Sequence, residues 1–233
     1  MSNYININDD QLPITDIDNR FKKNKFIGTV FVLLCFQITT TIGVCYLFVK
    51  NDSIRESMLN HTGLTLGLSI PITFITLIIA VCTREYKFWN LLSFIFFTLA
   101  TSVLVSVSCA VAYEQGNTNA IISALAFTGL SFFPLVFVGY FFGHHFKHMG
   151  PFLGTALWIL IIWGFSNIIF GWNLQFLYGL VGALVFSLYI VFDVYRIISD
   201  SRRTNDPIIA SIELYLDVIN LFVSLLECFS ARD

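Results

Sequence analysis

Long apolar stretches without a charged residue constrain the fold of this chain more than any other feature. Such runs cover residues 26–49, 62–83, 88–113 and 120–143. A helix needs about 20 apolar residues to cross the hydrocarbon core of a bilayer. Each run is therefore predicted to form one membrane-spanning helix. The composition agrees, because 56% hydrophobic and only 12% charged residues are not typical of a soluble domain.

Two further spans are predicted from one uncharged run, residues 149–192, which is about twice as long as a single span. A polar break at residues 171–175 divides this run into helices at about residues 152–170 and 176–195. A last apolar segment covers residues 208–229. The sequence thus predicts an all-α membrane protein, a bundle of seven transmembrane helices whose seventh helix is unusually polar.

Lysine and arginine predict which side of the membrane each end faces. Ten of these residues fall on the side of the N-terminus, and Lys50, Arg55 and Arg232 fall opposite if the last helix crosses. Short loops rich in Lys and Arg stay in the cytosol. Residues 1–25 are therefore predicted to be a disordered cytosolic tail, and residues 230–233 a short C-terminal tail. Whether the last segment crosses the bilayer or re-enters is left open.

The last apolar segment contains carboxylates, in the stretch IELYLDVINLFVSLLE at residues 212–227. At about 100° per residue, its polar side chains share one narrow stripe of the helix. The members of this acidic stripe are Glu213, Asp217, Asn220, Ser224 and Glu227. A charged side chain at the bilayer centre costs about 2.5–3.5 kcal/mol on insertion scales. The acidic stripe is therefore predicted to face the bundle interior or water.

A second acid, Asp193, follows eleven uncharged residues (182–192) in the preceding helix and lies 24 residues before Asp217. In a helical hairpin these two side chains reach a similar depth and are expected to meet. Two carboxylates in contact are expected to share a proton, and their oxygens also suit hard cations such as Ca²⁺. Asp193 and Asp217 are therefore candidates for a proton switch and for transient Ca²⁺ binding. The alternative for Asp193 is a local ion pair with Arg196 at i+3.

The segments GALVFSLYIVFD (182–193) and LYLDVINLFVSLL (214–226) resemble the paired signatures of the transmembrane Bax-inhibitor-motif family. This family includes Golgi anti-apoptotic proteins, lifeguard proteins and bacterial homologues, and the resemblance covers about residues 62–229. It implies seven helices with a short, central seventh helix. It also implies a leak of cations, chiefly Ca²⁺, from intracellular stores, which dampens death signalling.

The resemblance also implies roles for individual residues. Asp193 and Asp217 correspond to a pH-sensing pair of carboxylates, and Arg84 corresponds to an arginine that latches to that pair. The alternative for Arg84 is a positively charged flank of its helix. The chain departs from the family pattern in the acid at Glu213 and in the absence of a basic tail after Glu227. The sign of any pH dependence is left open, because protonation loosens the latch but also weakens cation attraction.

A second candidate site is the histidine cluster of GHHFKHMGP, formed by His144, His145 and His148. His144 and His148 at i, i+4 could share a metal, but no Cys or acid lies nearby in the sequence. The preferred interpretation is a set of titratable residues in a cytosolic loop that tune the pH response.

Three functions are compatible with these patterns. The first is a pH-sensitive Ca²⁺ leak channel that lowers store Ca²⁺ and suppresses apoptosis. The second is a non-conducting membrane protein that binds death-pathway partners. The third, an intramembrane aspartyl protease, is disfavoured because Asp217 lies in LYLD and not in a Gly-rich GxGD setting. No enzyme activity, cofactor or nucleic acid is expected. A Golgi or endoplasmic reticulum membrane is expected, with the plasma membrane and a homo-oligomer left open.

Overall fold

A computed structural model of the chain describes residues 14–170, 174–199 and 206–231, without the side chains of residues 14–19 and 168. All regular secondary structure in these ranges is helical. The helices are α1 (Ile14–Lys50), α2 (Asp52–Asn60), α3 (Thr62–Cys82), α4 (Lys87–Glu114), α5 (Thr118–Phe142), a 3-10 helix (Gly143–Phe146), α6 (Gly150–Phe170), α7 (Gln175–Ser199) and α8 (Pro207–Ser230). In the described ranges, seven helices are long and apolar enough to cross a membrane. The predicted all-α, seven-helix membrane fold is confirmed.

Two elements at the ends of the first span differ from the prediction. Helix α1 begins at Ile14 and not near residue 26, so the described part of the predicted tail is helical; residues 1–13 lie outside the described residues. Exposed charged side chains such as Arg20 are compatible with a helix that continues beyond the bilayer.

The connection to the second span contains the short helix α2. The side chain of Asn51 caps it by accepting a hydrogen bond from the Ile54 amide at 3.3 Å.

Helix α8 lies at the centre of the bundle. In the most apolar 18-residue stretch of α8, 61% of the residues are buried, whereas in the corresponding stretch of α3 only 6% are buried. It contacts α7, α5, α1 and α4, and its 24 residues extend for about 36 Å. The central position agrees with the expectation, but the helix is not short. It begins sharply because Asp206 accepts a hydrogen bond from the Ile208 amide at 2.9 Å and Pro207 occupies the first turn.

A polar ladder joins α1 to α4. Gln37, Thr41 and Cys45 on α1 face Thr98, Ser102 and Ser106 on α4, and each facing pair is 61 residues apart. A constant separation with steps of four residues means that the two helices run in the same direction. The OH of Tyr215 on α8 lies 2.7 Å from Thr41 Oγ1 and fixes α8 to this ladder. Buried polar groups thus set the depth of α8 relative to α1 and α4.

Glycines bring α7 close to its neighbours. A Cβ atom added at Gly139 of α5 would lie 2.9 Å from the Val191 carbonyl oxygen of α7. A Cβ added at Gly179 of α7 would lie 2.6 Å from the Ser224 carbonyl oxygen of α8. Small residues at helix contacts let backbones approach closely in membrane bundles. These contacts determine which side chains of α7 and α8 face each other.

A carboxylate cluster between the two last helices

Asp193 of α7 and Asp217 of α8 face each other, and each is only 7% exposed. Their carboxyl groups are close enough to be electrostatically coupled. The predicted meeting of these two side chains is therefore present in the structure. Asp217 Oδ2 is buried and has no hydrogen-bond partner among the described residues. A buried oxygen without a partner is costly, and a shared proton or a cation would satisfy it.

Arg196 and Glu213 complete the cluster at its more exposed end. Arg196 Nη1 lies 3.3 Å from Asp193 Oδ1 and 3.5 Å from Glu213 Oε2. The local ion pair at i+3 that the sequence offered for Asp193 is thus present, and the same guanidinium also reaches α8. The side chains of Arg196 and Glu213 are 46% and 40% exposed, so this end of the cluster is accessible. We call Asp193, Asp217, Glu213 and Arg196 the carboxylate cluster.

The carboxylate cluster contains more acids than bases. Among the described residues, three carboxyl groups surround the guanidinium of Arg196, so full ionisation of all three would leave these four side chains with an excess of two negative charges. Uncompensated charge inside a low-dielectric bundle is strongly unfavourable. The cluster therefore needs protons or a bound cation to be neutral, and the two can replace each other.

Arg84 does not join the carboxylate cluster. It lies in the turn between α3 and α4 with an exposed side chain, and the structure places no hydrogen bond or ion pair on it within the described ranges. The reason is that α3 packs mainly on α4 and α2. In the structure it is Arg196 that contacts Asp193, and the latch role that the resemblance implies for Arg84 stays a prediction. The i+3 spacing signalled its contact with Asp193, whereas its contact with Glu213 depends on how α7 and α8 pack.

The acidic stripe of α8 is covered by α7 over much of its length. Asp217 and Ser224 are buried, whereas Glu213, Asn220 and Glu227 are half-buried. A Cβ added at Gly182 would lie 2.6 Å from Ser224 Oγ, and Gly179 packs on the same turn of α8. The stripe therefore faces the bundle interior, as predicted, and α7 closes it at Ser224.

The histidine cluster lies at the same end of the bundle as Asp193 but is exposed. His144 and His145 belong to the 3-10 helix, and their ring centroids are 3.8 Å apart. This helix packs on α7, since a Cβ at Gly143 would lie 2.5 Å from Tyr195 Cβ. A pH-tuning role for His144, His145 and His148 stays a prediction; the 3-10 helix packs on Tyr195, two residues after Asp193 in the sequence.

No resident metal site is evident. Within residues 14–170, 174–199 and 206–231 there is no group of three or more His, Cys, Asp or Glu side chains that could hold a metal ion. Ca²⁺ takes six to eight oxygen ligands. Asp193 and Asp217 alone offer fewer oxygen ligands than this number, and transient Ca²⁺ binding by them stays a prediction.

Comparison with known proteins identifies relatives along nearly the whole chain. The sequence profile of the family described as "Inhibitor of apoptosis-promoting Bax1" matches residues 23–233. Protein LIFEGUARD 2 of Arabidopsis thaliana is 33% identical over 219 residues, 89% of this chain and 88% of the relative. The BI1-like protein of Arabidopsis thaliana is 32% identical over 211 residues, 89% of this chain and 81% of the relative. The Golgi anti-apoptotic protein of Vaccinia virus (strain Lister) is 29% identical over 204 residues, 87% of this chain and 83% of the relative. None of these names denotes an enzyme.

Proposed function

The chain belongs to the family of inhibitors of apoptosis-promoting Bax1, and we propose that it is a pH-sensitive cation leak, chiefly for Ca²⁺, in an intracellular membrane. By lowering the Ca²⁺ content of the store, such a leak restrains cell-death signals that depend on Ca²⁺ release. The name Golgi anti-apoptotic protein, carried by one relative, supports a Golgi membrane and an anti-apoptotic outcome. The N-terminus is proposed to face the cytosol on account of its basic residues.

The observation that carries this proposal is the buried pair Asp193 and Asp217. Ionisable residues inside a membrane bundle are costly and mark ion pathways or proton relays. The pair lies between the two central helices, and Asp217 Oδ2 has no hydrogen-bond partner among the described residues. A proton and a cation compete for this oxygen, so the leak depends on pH.

In the proposed mechanism, Arg196 holds the gate closed by bridging α7 to α8. Its guanidinium contacts Asp193 on one helix and Glu213 on the other. Loss of one contact releases α7 from α8 at this end of the bundle and exposes Asp217 to an entering cation. Arg196 thus takes the latching role that the sequence analysis gave to Arg84.

Below the carboxylate cluster, the proposed path follows the acidic stripe of α8. Ser224 is packed on Gly179 and Gly182 of α7, so this path is closed in the structure. Opening requires α7 and α8 to separate at the glycine contact. The carboxylate cluster and the glycine contact are therefore two barriers in series.

The proposal is tested by measuring stored Ca²⁺ in cells with indicators targeted to the Golgi and the endoplasmic reticulum. Wild type is expected to lower the resting Ca²⁺ of the store, and Asp217→Asn to change this effect. Glu85→Gln is the control, because Glu85 is an exposed carboxylate in the turn between α3 and α4. Equal stored Ca²⁺ in cells with wild type, with Asp217→Asn and without the protein would contradict the proposal.

The packing of Ser224 on the α7 glycines also favours a second candidate, a non-conducting membrane protein that acts through death-pathway partners. In that case the stripe serves only to fasten α8 to α7. Cells would then be protected from death while stored Ca²⁺ stays unchanged. The Asp217→Asn variant would protect cells as wild type does, also without a change in stored Ca²⁺.

A further inference from the structure

Two cysteines lie at one end of the polar ladder between α1 and α4. Cys45 of α1 belongs to the ladder, and its Sγ lies 3.4 Å from Ser106 Oγ of α4. Cys109 follows Ser106 by three residues and is therefore its neighbour, one turn later on the same face of α4. Side chains on a helix lean toward its N-terminus, so the Cys109 thiol leans back over the turn of Ser106. Both thiols thus lie at the same contact between the two helices.

Two further observations agree that the thiols are neighbours. Cys45 and Cys109 both line an apolar groove between α1, α4, α5 and α8, and their thiol groups are close enough to be electrostatically coupled. Both cysteines are free. Within the described ranges they belong to no group of three or more His, Cys, Asp or Glu side chains, so the pair has too few ligands for a metal site. Two adjacent free thiols can instead be oxidised to a disulfide.

An oxidant reaches this pair from the side of Cys45. Cys45 is half-buried, whereas Cys109 is only 3% exposed. Ile42 and Tyr46, which also line the groove on α1, are exposed on the side that faces lipid. The route to the Cys45 thiol is therefore apolar, and a small uncharged oxidant such as hydrogen peroxide suits it better than an ionic one.

The end of the bundle at which the pair lies also suits a disulfide. Cys45 lies five residues before the end of α1 at Lys50, and Cys109 lies five residues before the end of α4 at Glu114. With the N-terminus in the cytosol, as proposed above, both helices end on the opposite side of the membrane. Disulfides persist in the lumen of the endoplasmic reticulum and are rare in the cytosol. The compartment, unlike the contact between the thiols, rests on the proposed orientation of the chain.

We propose that Cys45 and Cys109 form a reversible disulfide that links α1 to α4, with hydrogen peroxide as the oxidant. Peroxide oxidises the Cys45 thiol to a sulfenic acid and is itself reduced to water. The Cys109 sulfur then attacks the Cys45 sulfur. The S–S bond forms, the S–O bond breaks, and the hydroxyl group leaves as water with the proton of the Cys109 thiol. Exchange with two molecules of a reducing thiol such as glutathione restores both cysteines and yields one glutathione disulfide.

The disulfide joins the two helices that hold the depth of α8. Cys45 lies one turn after Thr41, whose Oγ1 is 2.7 Å from the hydroxyl of Tyr215 on α8. A covalent link next to this hydrogen bond fixes α1 against α4 and limits movement of the polar ladder. Oxidation therefore stabilises the packed bundle at a site apart from the carboxylate cluster.

The test is intact mass spectrometry of the full-length chain with Cys35→Ala, Cys82→Ala and Cys228→Ala, held as single molecules in lipid nanodiscs. After treatment with hydrogen peroxide, the chain is unfolded and its remaining thiols are alkylated. The number of alkylated thiols is expected to fall from two to none and to return to two after a reductant. Proteolysis should yield one cross-linked pair of peptides, which contain Cys45 and Cys109. Wild type, with all five cysteines, should yield the same pair after peroxide treatment.

The matched control keeps Cys45 and Cys82 and carries Cys35→Ala, Cys109→Ala and Cys228→Ala. Cys82 ends α3 beside the first turn of α4, about 30 Å from the level of Cys109. Here no disulfide should form, and dimedone, a reagent for sulfenic acids, should capture Cys45.

Four results would each overturn the proposal. They are two alkylated thiols after peroxide in the first variant, a loss of alkylation without the cross-linked peptides, an equal cross-link in the control, and no capture of Cys45 by dimedone. Because the readout is the mass of thiols and peptides and not ion flux, a failure here is distinct from a failure of the leak.

Discussion

The guanidinium of Arg196 lies 3.3 Å from the carboxylate of Asp193, one turn away on the same helix. The same guanidinium lies 3.5 Å from Glu213 on α8, so a contact within one helix also ties two helices together. An exposed ion pair alone contributes little to stability. Here its position matters more than its strength, because it covers the exposed end of the buried pair Asp193 and Asp217.

The first prediction concerns which arginine controls the gate. Arg196→Gln removes the bridge between α7 and α8 and is expected to raise Ca²⁺ flux into protein-containing liposomes several-fold. Arg84→Gln removes an exposed guanidinium that has no contact with the carboxylate cluster, and its flux should equal that of wild type. The opposite result, a changed Ca²⁺ flux with Arg84→Gln and an unchanged flux with Arg196→Gln, would mean that Arg84 and not Arg196 holds the gate.

The second prediction concerns the glycine contact between α7 and α8. Gly179→Ala places a Cβ 2.6 Å from the Ser224 carbonyl oxygen and 2.7 Å from the Cys228 backbone nitrogen, neither of which can rotate away. Gly182→Ala meets only the Ser224 side chain closely, with Oγ at 2.6 Å, and a rotamer change relieves it. Overpacking costs about 1–3 kcal/mol, so Gly179→Ala should lower the melting temperature more than Gly182→Ala.

Thermal unfolding in detergent checks this order against Gly129→Ala. A Cβ at Gly129 on α5 has no atom within 4 Å, and alanine is a better helix former by about 0.8–1.0 kcal/mol. This control should be neutral or stabilising. Equal melting temperatures for the Gly179→Ala and Gly129→Ala variants would contradict the close packing of α7 on α8.

The third prediction concerns the hydrogen bond that fixes the depth of α8. Tyr215→Phe removes the hydroxyl that lies 2.7 Å from Thr41 Oγ1, in a fully buried position. Side-chain hydrogen bonds between membrane helices average about 0.6 kcal/mol and reach about 1.7 kcal/mol. A double-mutant cycle with Thr41→Val should give a coupling energy in this range when unfolding is measured. Additive effects of the two substitutions would mean that the hydroxyl groups do not interact.

The length of the uncharged apolar runs was enough to predict the seven spans, because the bilayer requires a minimum length of apolar helix. The short helix α2 was not predicted, since Asp52–Asn60 is largely polar and lies between two spans. The predicted start of the first helix near residue 26 is the point where the apolar run begins. The helix itself begins earlier, at Ile14, because a helix can continue into water beyond its apolar part.

The pairing of Asp193 with Asp217 was predictable, because a short connection between two helices places both acids at a similar depth. The placement of Arg84 was not, since it depends on which helices α3 packs against. The contact of Arg196 with Glu213 and the packing of Ser224 on Gly179 depend in the same way on the rotation of α7 against α8. Rotation of a helix about its axis is set by contacts between helices, and it cannot be predicted from the spacing of residues within one helix.

The most direct test of the proposed gate is Ca²⁺ flux into liposomes that contain purified protein and an indicator dye, measured between pH 6 and pH 8. The proposed proton competition at Asp217 predicts a flux that changes with pH in wild type and a flux that depends much less on pH in Asp217→Asn. Glu85→Gln should keep the wild-type profile. A wild-type flux no greater than that of protein-free liposomes, or an unchanged pH profile in Asp217→Asn, would contradict the role assigned to the buried carboxylates.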